Sequence, residues 1–69
     1  MRSNLVDLVL YQKLETPKAY GVMLDEEHDV VWLPKSMVER GEFIRKTKLG
    51  HNCYEFTMPE TLAVEKELI

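Results

Sequence analysis

The sequence predicts a mainly β protein: a small, strongly bent antiparallel sheet, or an SH3-like or OB-like barrel, of about five strands with a short C-terminal helix. Three observations lead there. The chain has 69 residues, enough for a single domain that buries about 60% of the surface its unfolded form exposes. Pro17, Gly21, Pro34, Gly41, Gly50 and Pro59 divide it into pieces of strand length. Between them lie short runs rich in Val, Leu, Tyr and Phe, joined by polar tips of the kind that close hairpins.

Leu5 to Leu14 carries apolar residues on both alternating sets, Leu5, Val9 and Tyr11 on one and Val6, Leu8 and Leu10 on the other. That pattern suits a two-sided strand or a helix. Strand is preferred, because Pro17 follows closely and Glu15-Thr16-Pro17-Lys18 can close a hairpin. Lys18 to Asp25 reads as the second strand, with Gly21 marking a bend or bulge. Asp25-Glu26-Glu27-His28-Asp29 is a polar hairpin tip, and Asp29 to Leu33 returns as the third strand. Proline cannot donate to a ladder, so this strand is expected to end at Leu33.

Ser36-Met37-Val38-Glu39 has the spacing of a capping box, which predicts one helical turn closed by Gly41. Phe43 to Leu49 and Cys53 to Thr57 form a second hairpin around Gly50-His51-Asn52. A helix from Pro59 to about Leu68 follows, capped by Thr57 with Glu60 three residues on, and is expected to cover one open end of the sheet.

Trp32, the only tryptophan, is expected to anchor the core, where removal of such a side chain costs about 3 to 5 kcal/mol. By alternation it shares a face with Val30 and opposes Val31 and Leu33. Its exposure therefore separates a scaffold role from a stacking site.

Composition narrows the function classes. A hydrophobic fraction of 45%, a charged fraction of 30% and a net charge of −3 describe an ordinary globular chain. Cys53 is the only cysteine, so there is neither an internal disulfide nor a Cys-cluster zinc site, and a reducing cytoplasm fits. The longest apolar runs, such as Val30 to Leu33, fall far short of the roughly 20 residues that span a bilayer. Asp7 interrupts any secretory signal after Met1-Arg2-Ser3-Asn4. These features lead us to expect a cytoplasmic protein with no membrane association.

Lys18-Ala19, then Val31-Trp32-Leu33-Pro34-Lys35-Ser36, then Met58-Pro59-Glu60-Thr61-Leu62-Ala63 form a pattern that resembles small, uncharacterised bacteriophage proteins. Trp-Leu-Pro-Lys-Ser is its distinctive part. The chain departs from the pattern at Met37, where a polar residue is more frequent, and at Thr61, where an aromatic is frequent. The resemblance implies a setting among replication and recombination functions, and it brings no catalytic residues.

The sequence offers little for catalysis. His51 and Cys53 could face one side of a strand, but no oxyanion turn follows and no third group is evident to orient the histidine. No catalytic residue and no cofactor are assigned. Asp25 to Asp29 lacks the alternating oxygen ligands and central glycine of a calcium loop, so no metal site is assigned either. More informative is a basic set. Lys35, Arg40, Arg45, Lys46 and Lys48 hold five of the nine Lys and Arg residues, while acids gather in the hairpin tip and the last helix. Together with Trp32, and with Tyr20, Phe43 or Tyr54 as further stacking faces, this set predicts weak single-stranded nucleic-acid binding by a non-enzymatic accessory module.

The competing expectation is a protein-interaction module docking on a phage or host protein. Met1, Met23, Met37 and Met58 would supply adaptable contacts. A first strand that is apolar on both sides predicts a homo-oligomer, since so short a chain can hardly cover both faces.

Overall fold

The computed structural model describes residues 4–69, so Met1 lies outside the described residues. The elements are β1 (Leu5–Glu15), β2 (Ala19–Met23), β3 (Val31–Pro34), β4 (Glu39–Lys46), β5 (Asn52–Pro59) and α1 (Glu60–Glu65). They form one antiparallel five-stranded sheet in the order β3-β2-β1-β5-β4, the mainly β architecture expected from the segment pattern. Successive strands are neighbours except β3 and β4, which take the two edges, while β1 and β5 pair along the centre.

Turn chemistry builds the hairpins. Between β1 and β2, the Thr16 N–H donates to the Ala19 carbonyl at 2.9 Å and the Ala19 N–H donates to Thr16 Oγ1 at 3.0 Å, around Pro17. At the next tip the Glu27 N–H donates to Asp25 Oδ1 at 2.8 Å. In the third, Gly50 adopts φ 91°, in the left-handed region where glycine carries no Cβ penalty.

Alternation sorts the two faces of the sheet. Val6, Leu8 and Leu10 of β1 stand opposite Met58, Phe56 and Tyr54 of β5. With Val22, Leu33 and Val38 they build the core, which Leu62, Ala63 and Leu68 complete from the C-terminal end. Phe56, Leu10, Leu33 and Met58 are among its largest fully buried side chains. Trp32 is not the core anchor: it projects from the other face and remains 42% exposed. Alternation does send Val31 and Leu33 inward, so the indole between them faces outward despite its size.

Three further expectations need correction. Ser36 to Glu39 is not a helical turn. The Met37 N–H closes a tight turn on the Pro34 carbonyl at 3.0 Å, and Glu39 already pairs with Thr57 as the start of β4. Gly41 accordingly lies within β4 and closes nothing; a Cβ there would meet the Glu55 carbonyl oxygen at 3.2 Å. The helix is shorter than Pro59 to Leu68, and Thr57 does not cap it. Pro59 is the N-cap, while Thr57 stays in β5 and donates its hydroxyl to Asp7. Of the methionines proposed as docking contacts, Met23 and Met58 are buried and Met37 is exposed.

The helix ends in a left-handed cap. The Leu68 N–H donates to the Ala63 carbonyl at 2.8 Å, the Glu67 N–H donates to the Val64 carbonyl at 3.0 Å, and Glu67 between them has φ 59°. This is the double bond of a Schellman motif, with Leu68 delivered into the core. Glutamate is poorly suited to that backbone conformation, so Glu67→Gly is expected to raise stability by about 0.5 to 1 kcal/mol. Urea unfolding of the two forms checks it, and an unchanged or lowered midpoint would show that the cap is not formed in solution.

Candidate functional site

Two surfaces carry the side chains singled out by the sequence. The first lies at one end of the inner face. Tyr20, Phe56, Tyr54 and Phe43 form a run of edge-to-face rings from β2 across β5 to β4, with centroid separations of 5.4, 6.2 and 5.7 Å. Phe56 is buried beneath it, and Phe43 is exposed.

Two of the predicted basic residues cover these rings. The Arg40 guanidinium lies 4.7 Å from the Tyr54 centroid and 5.2 Å from that of Tyr20, and Lys35 Nζ lies 5.0 Å from Tyr20. Both cations share one carboxylate. Lys35 Nζ donates to Glu15 Oε2 at 2.6 Å, and Arg40 Nη1 donates to Glu15 Oε1 at 3.1 Å and to Gln12 Oε1 at 2.8 Å. Since Arg40 comes from one edge strand and Lys35 follows the other, these bonds tie the two open edges of the sheet together through β1. The hydrogen bond from Lys35, with its charge and that of Arg40, holds the Glu15 carboxyl below the usual carboxylate range.

The other predicted residues lie apart from this cluster. Arg45 is placed with the outer face, where it pairs with Cys53, donates to the Tyr11 hydroxyl at 3.1 Å and lies 5.8 Å from the Tyr11 ring. Lys46 ends β4 opposite Asn52, and Lys48 sits in the hairpin beyond it. Among the described residues no ion pair reaches Lys46 or Lys48. Trp32, on β3, is at the opposite end of the strand order from Arg45 and Lys46. The fold thus brings Lys35 and Arg40 together and leaves Trp32, Arg45, Lys46 and Lys48 outside their cluster.

The second surface is the outer face beside β3. Trp32 stands opposite Gly21. A Cβ on Gly21 would lie 3.2 Å from the Trp32 ring and 3.1 Å from both Leu14 and Val30, so these three side chains converge over the bare backbone of the glycine. Leu14 and Trp32 remain 47% and 42% exposed. Gly21 is what allows the indole to lie close to the sheet, a close-approach role rather than a bulge in its own strand.

The catalytic pairing of His51 with Cys53 finds no support in this geometry. His51 is in fact held by a third group, because its Nδ1 lies 2.7 Å from Glu26 Oε2, which also accepts from the Thr47 hydroxyl at 2.9 Å. This cluster ties the β2–β3 tip to the β4–β5 hairpin. Cys53, however, is fully buried, and burial pushes its thiol pKa up despite the opposing charge of Arg45. A raised thiol pKa keeps the sulfur protonated and weakly nucleophilic at neutral pH. Among the described residues, no group of three or more His, Cys, Asp or Glu is placed to hold a metal ion.

The polar tip does titrate. His28 Nδ1 lies 2.9 Å from Asp25 Oδ2. That hydrogen bond lowers the Asp25 pKa and raises that of His28. The raised histidine contributes stability that is complete below about pH 6.5 and is lost as pH climbs through its folded value. The lowered carboxyls of Asp25 and Glu15 contribute above the ordinary carboxylate range and lose that contribution as pH falls through their folded values. His28→Ala is therefore expected to flatten the stability profile on the alkaline side of about pH 6.5. Thermal unfolding across that range checks it, and superimposable profiles would remove the pair from consideration. The effect is small, because both partners are exposed.

The sequence reading missed Gln12, Glu15 and Glu26. Gln12 offered a signal, since it continues the inward alternation of Val6, Leu8 and Leu10 and so places an amide among apolar side chains. Glu15 offered none, because a register shift between Gln12 and Leu14 changes the phase of the strand before it. No known protein family, curated protein or solved structure matches the chain.

Proposed function

We propose that this chain is a non-enzymatic binding module that docks a protein partner through the outer face of its sheet. The observation that carries this reading is the half-exposed Trp32, converging with Leu14 and Val30 over Gly21. Tryptophan supplies a large, rigid contact area and is over-represented among residues that dominate binding energy. Leu5 and Val9, 63% and 50% exposed on the same central strand, add apolar surface that the described residues do not cover. The resemblance carried by Trp32 to Ser36 favours a phage or host protein as the partner, in a setting of replication and recombination and in the cytoplasm. A second copy of the chain is also a candidate to cover this face, and sedimentation above the monomer mass of 8.1 kDa would reveal it.

The test compares the unaltered chain with a Trp32→Ser, Leu14→Ser variant, each immobilised in extract from the native host. Proteins held by the first, lost by the second and retained in added salt support the reading. Equal retention by both would reject it.

A second reading, weak binding of single-stranded nucleic acid, is favoured by Phe43, 52% exposed on the strand that leads into Lys46 and Lys48. Against it weigh the engagement of Lys35 and Arg40 with Glu15 and the net charge of −3. Phosphate binding weakens steeply with salt. An oligonucleotide titration that moves the NMR signals of Phe43, Lys46 and Lys48 at low salt, and leaves them unmoved at high salt, would restore this reading to first place.

A further inference from the structure

The walls around the Arg40 head group come from three strands other than its own. Gln12 and Glu15 on β1 supply the accepting oxygens, at 2.8 and 3.1 Å, and Tyr20 on β2 and Tyr54 on β5 supply the ring faces, at 5.2 and 4.7 Å. β4 contributes the occupant. It is an edge strand whose register against β5 shifts twice, between Arg40 and Phe43 and between Phe43 and Arg45. The side chains of Arg40 and Glu15 keep 31% and 38% of their surface in solvent, so the recess opens to the outside.

We propose that this recess is a binding site for an alkylguanidinium cation, the group an arginine side chain of a partner presents, and that Arg40 is its resident intramolecular competitor. The chemistry of the walls selects that class. A carboxylate oxygen and an amide oxygen accept N–H bonds from one terminal nitrogen of the cation, and two electron-rich ring faces stabilise its charge where water is partly excluded. A carboxylate shared with Lys35 keeps the emptied recess near neutrality, so an incoming cation meets no excess positive charge. The two cations that an anionic ligand would seek there, Lys35 and Arg40, are both paired with Glu15. The site uses none of the outer-face residues of the proposed docking surface, so either assignment can fail alone.

Binding by an external guanidinium must displace Arg40, which lowers the apparent affinity by the fraction of time the recess stands empty. Removing the competitor exposes the site. Methylguanidinium chloride is titrated into Arg40→Ala and into the unaltered chain, with the Tyr20 and Tyr54 ring protons followed by NMR, and with sodium chloride and methylammonium chloride as controls. The expected result is a saturable shift of both tyrosines in Arg40→Ala, with an affinity about tenfold or more above that of the unaltered chain. Adding Glu15→Gln to Arg40→Ala should weaken it by about tenfold. No saturable shift in Arg40→Ala, equal affinity in the two forms, or an equal response to methylammonium would overturn the proposal. Should Arg40→Ala fail to fold, Arg40→Met keeps the aliphatic stem and takes its place. If that variant is unfolded too, cooperative refolding by methylguanidinium at concentrations where sodium chloride has no effect supports the site, and its failure rejects it.

Discussion

Phe56→Ala is expected to leave the protein largely unfolded at room temperature. Phe56 has no exposed surface, packs edge-on between Tyr20 and Tyr54, and lies in the strand that joins β1 to β4. Truncating a buried phenylalanine costs about 3 to 5 kcal/mol. A chain of this length has a total stability of roughly 3 to 10 kcal/mol. The loss is therefore comparable to everything that holds the fold together. It also removes the ring between the two tyrosines that flank Arg40, so local order around that guanidinium should vanish together with the global fold. Urea unfolding followed by circular dichroism measures the effect. A variant that retained a cooperative transition within about 1 kcal/mol of the parent would mean that Phe56 is not at the centre of the core.

The second large effect is a reversal of rank between neighbours. Trp32 and Leu33 are adjacent in β3 and point to opposite faces. Leu33 is fully buried, and Leu33→Ala should cost about 2 to 5 kcal/mol. Trp32 is 42% exposed, and its replacement by alanine should cost only about 1 to 2 kcal/mol, in proportion to the area it covers. The larger residue is thus the cheaper one to remove. Matched denaturation curves decide the point, and a Trp32→Ala loss exceeding that of Leu33→Ala would place the indole in the core after all. In the folded parent the indole should also be accessible to acrylamide quenching.

This reversal shows where the sequence was legible. Turns announced themselves because their chemistry is local: Thr16-Pro17, the carboxylate of Asp25 and the left-handed Gly50 each act within four residues. Parity was legible too, since alternation sent Val31 and Leu33 inward. Ser36 to Glu39 misled because a capping-box pattern states only what a helix would use. Here Val38 is drawn into the core and Glu39 into a ladder with Thr57, and both outweigh one helical turn. The surroundings of Arg40 were beyond reach for a different reason. Its partners Gln12 and Glu15 lie 28 and 25 residues away, and they meet it only because β1 became the central strand. Nothing in a short window reports which strand takes the middle.

That choice of central strand bears on how the molecule assembles. β1, β2 and β3 are joined by short hairpins, as are β4 and β5, and each set can form with small loop-closure cost. The seam between the sets is the ladder from Leu5 opposite Pro59 to Gln12 opposite Asn52, which joins nearly the two ends of the described chain. Contacts of such separation slow folding, because much chain must be ordered before they reward it. The protein should therefore fold as a three-stranded meander and a hairpin that wait for each other, with the rate set by closure of the seam between β1 and β5. Until it closes, the hydrogen-bonding edge of β1 that faces β5 stands open, and the interval before closure is when this chain is most exposed to pairing with the wrong strand.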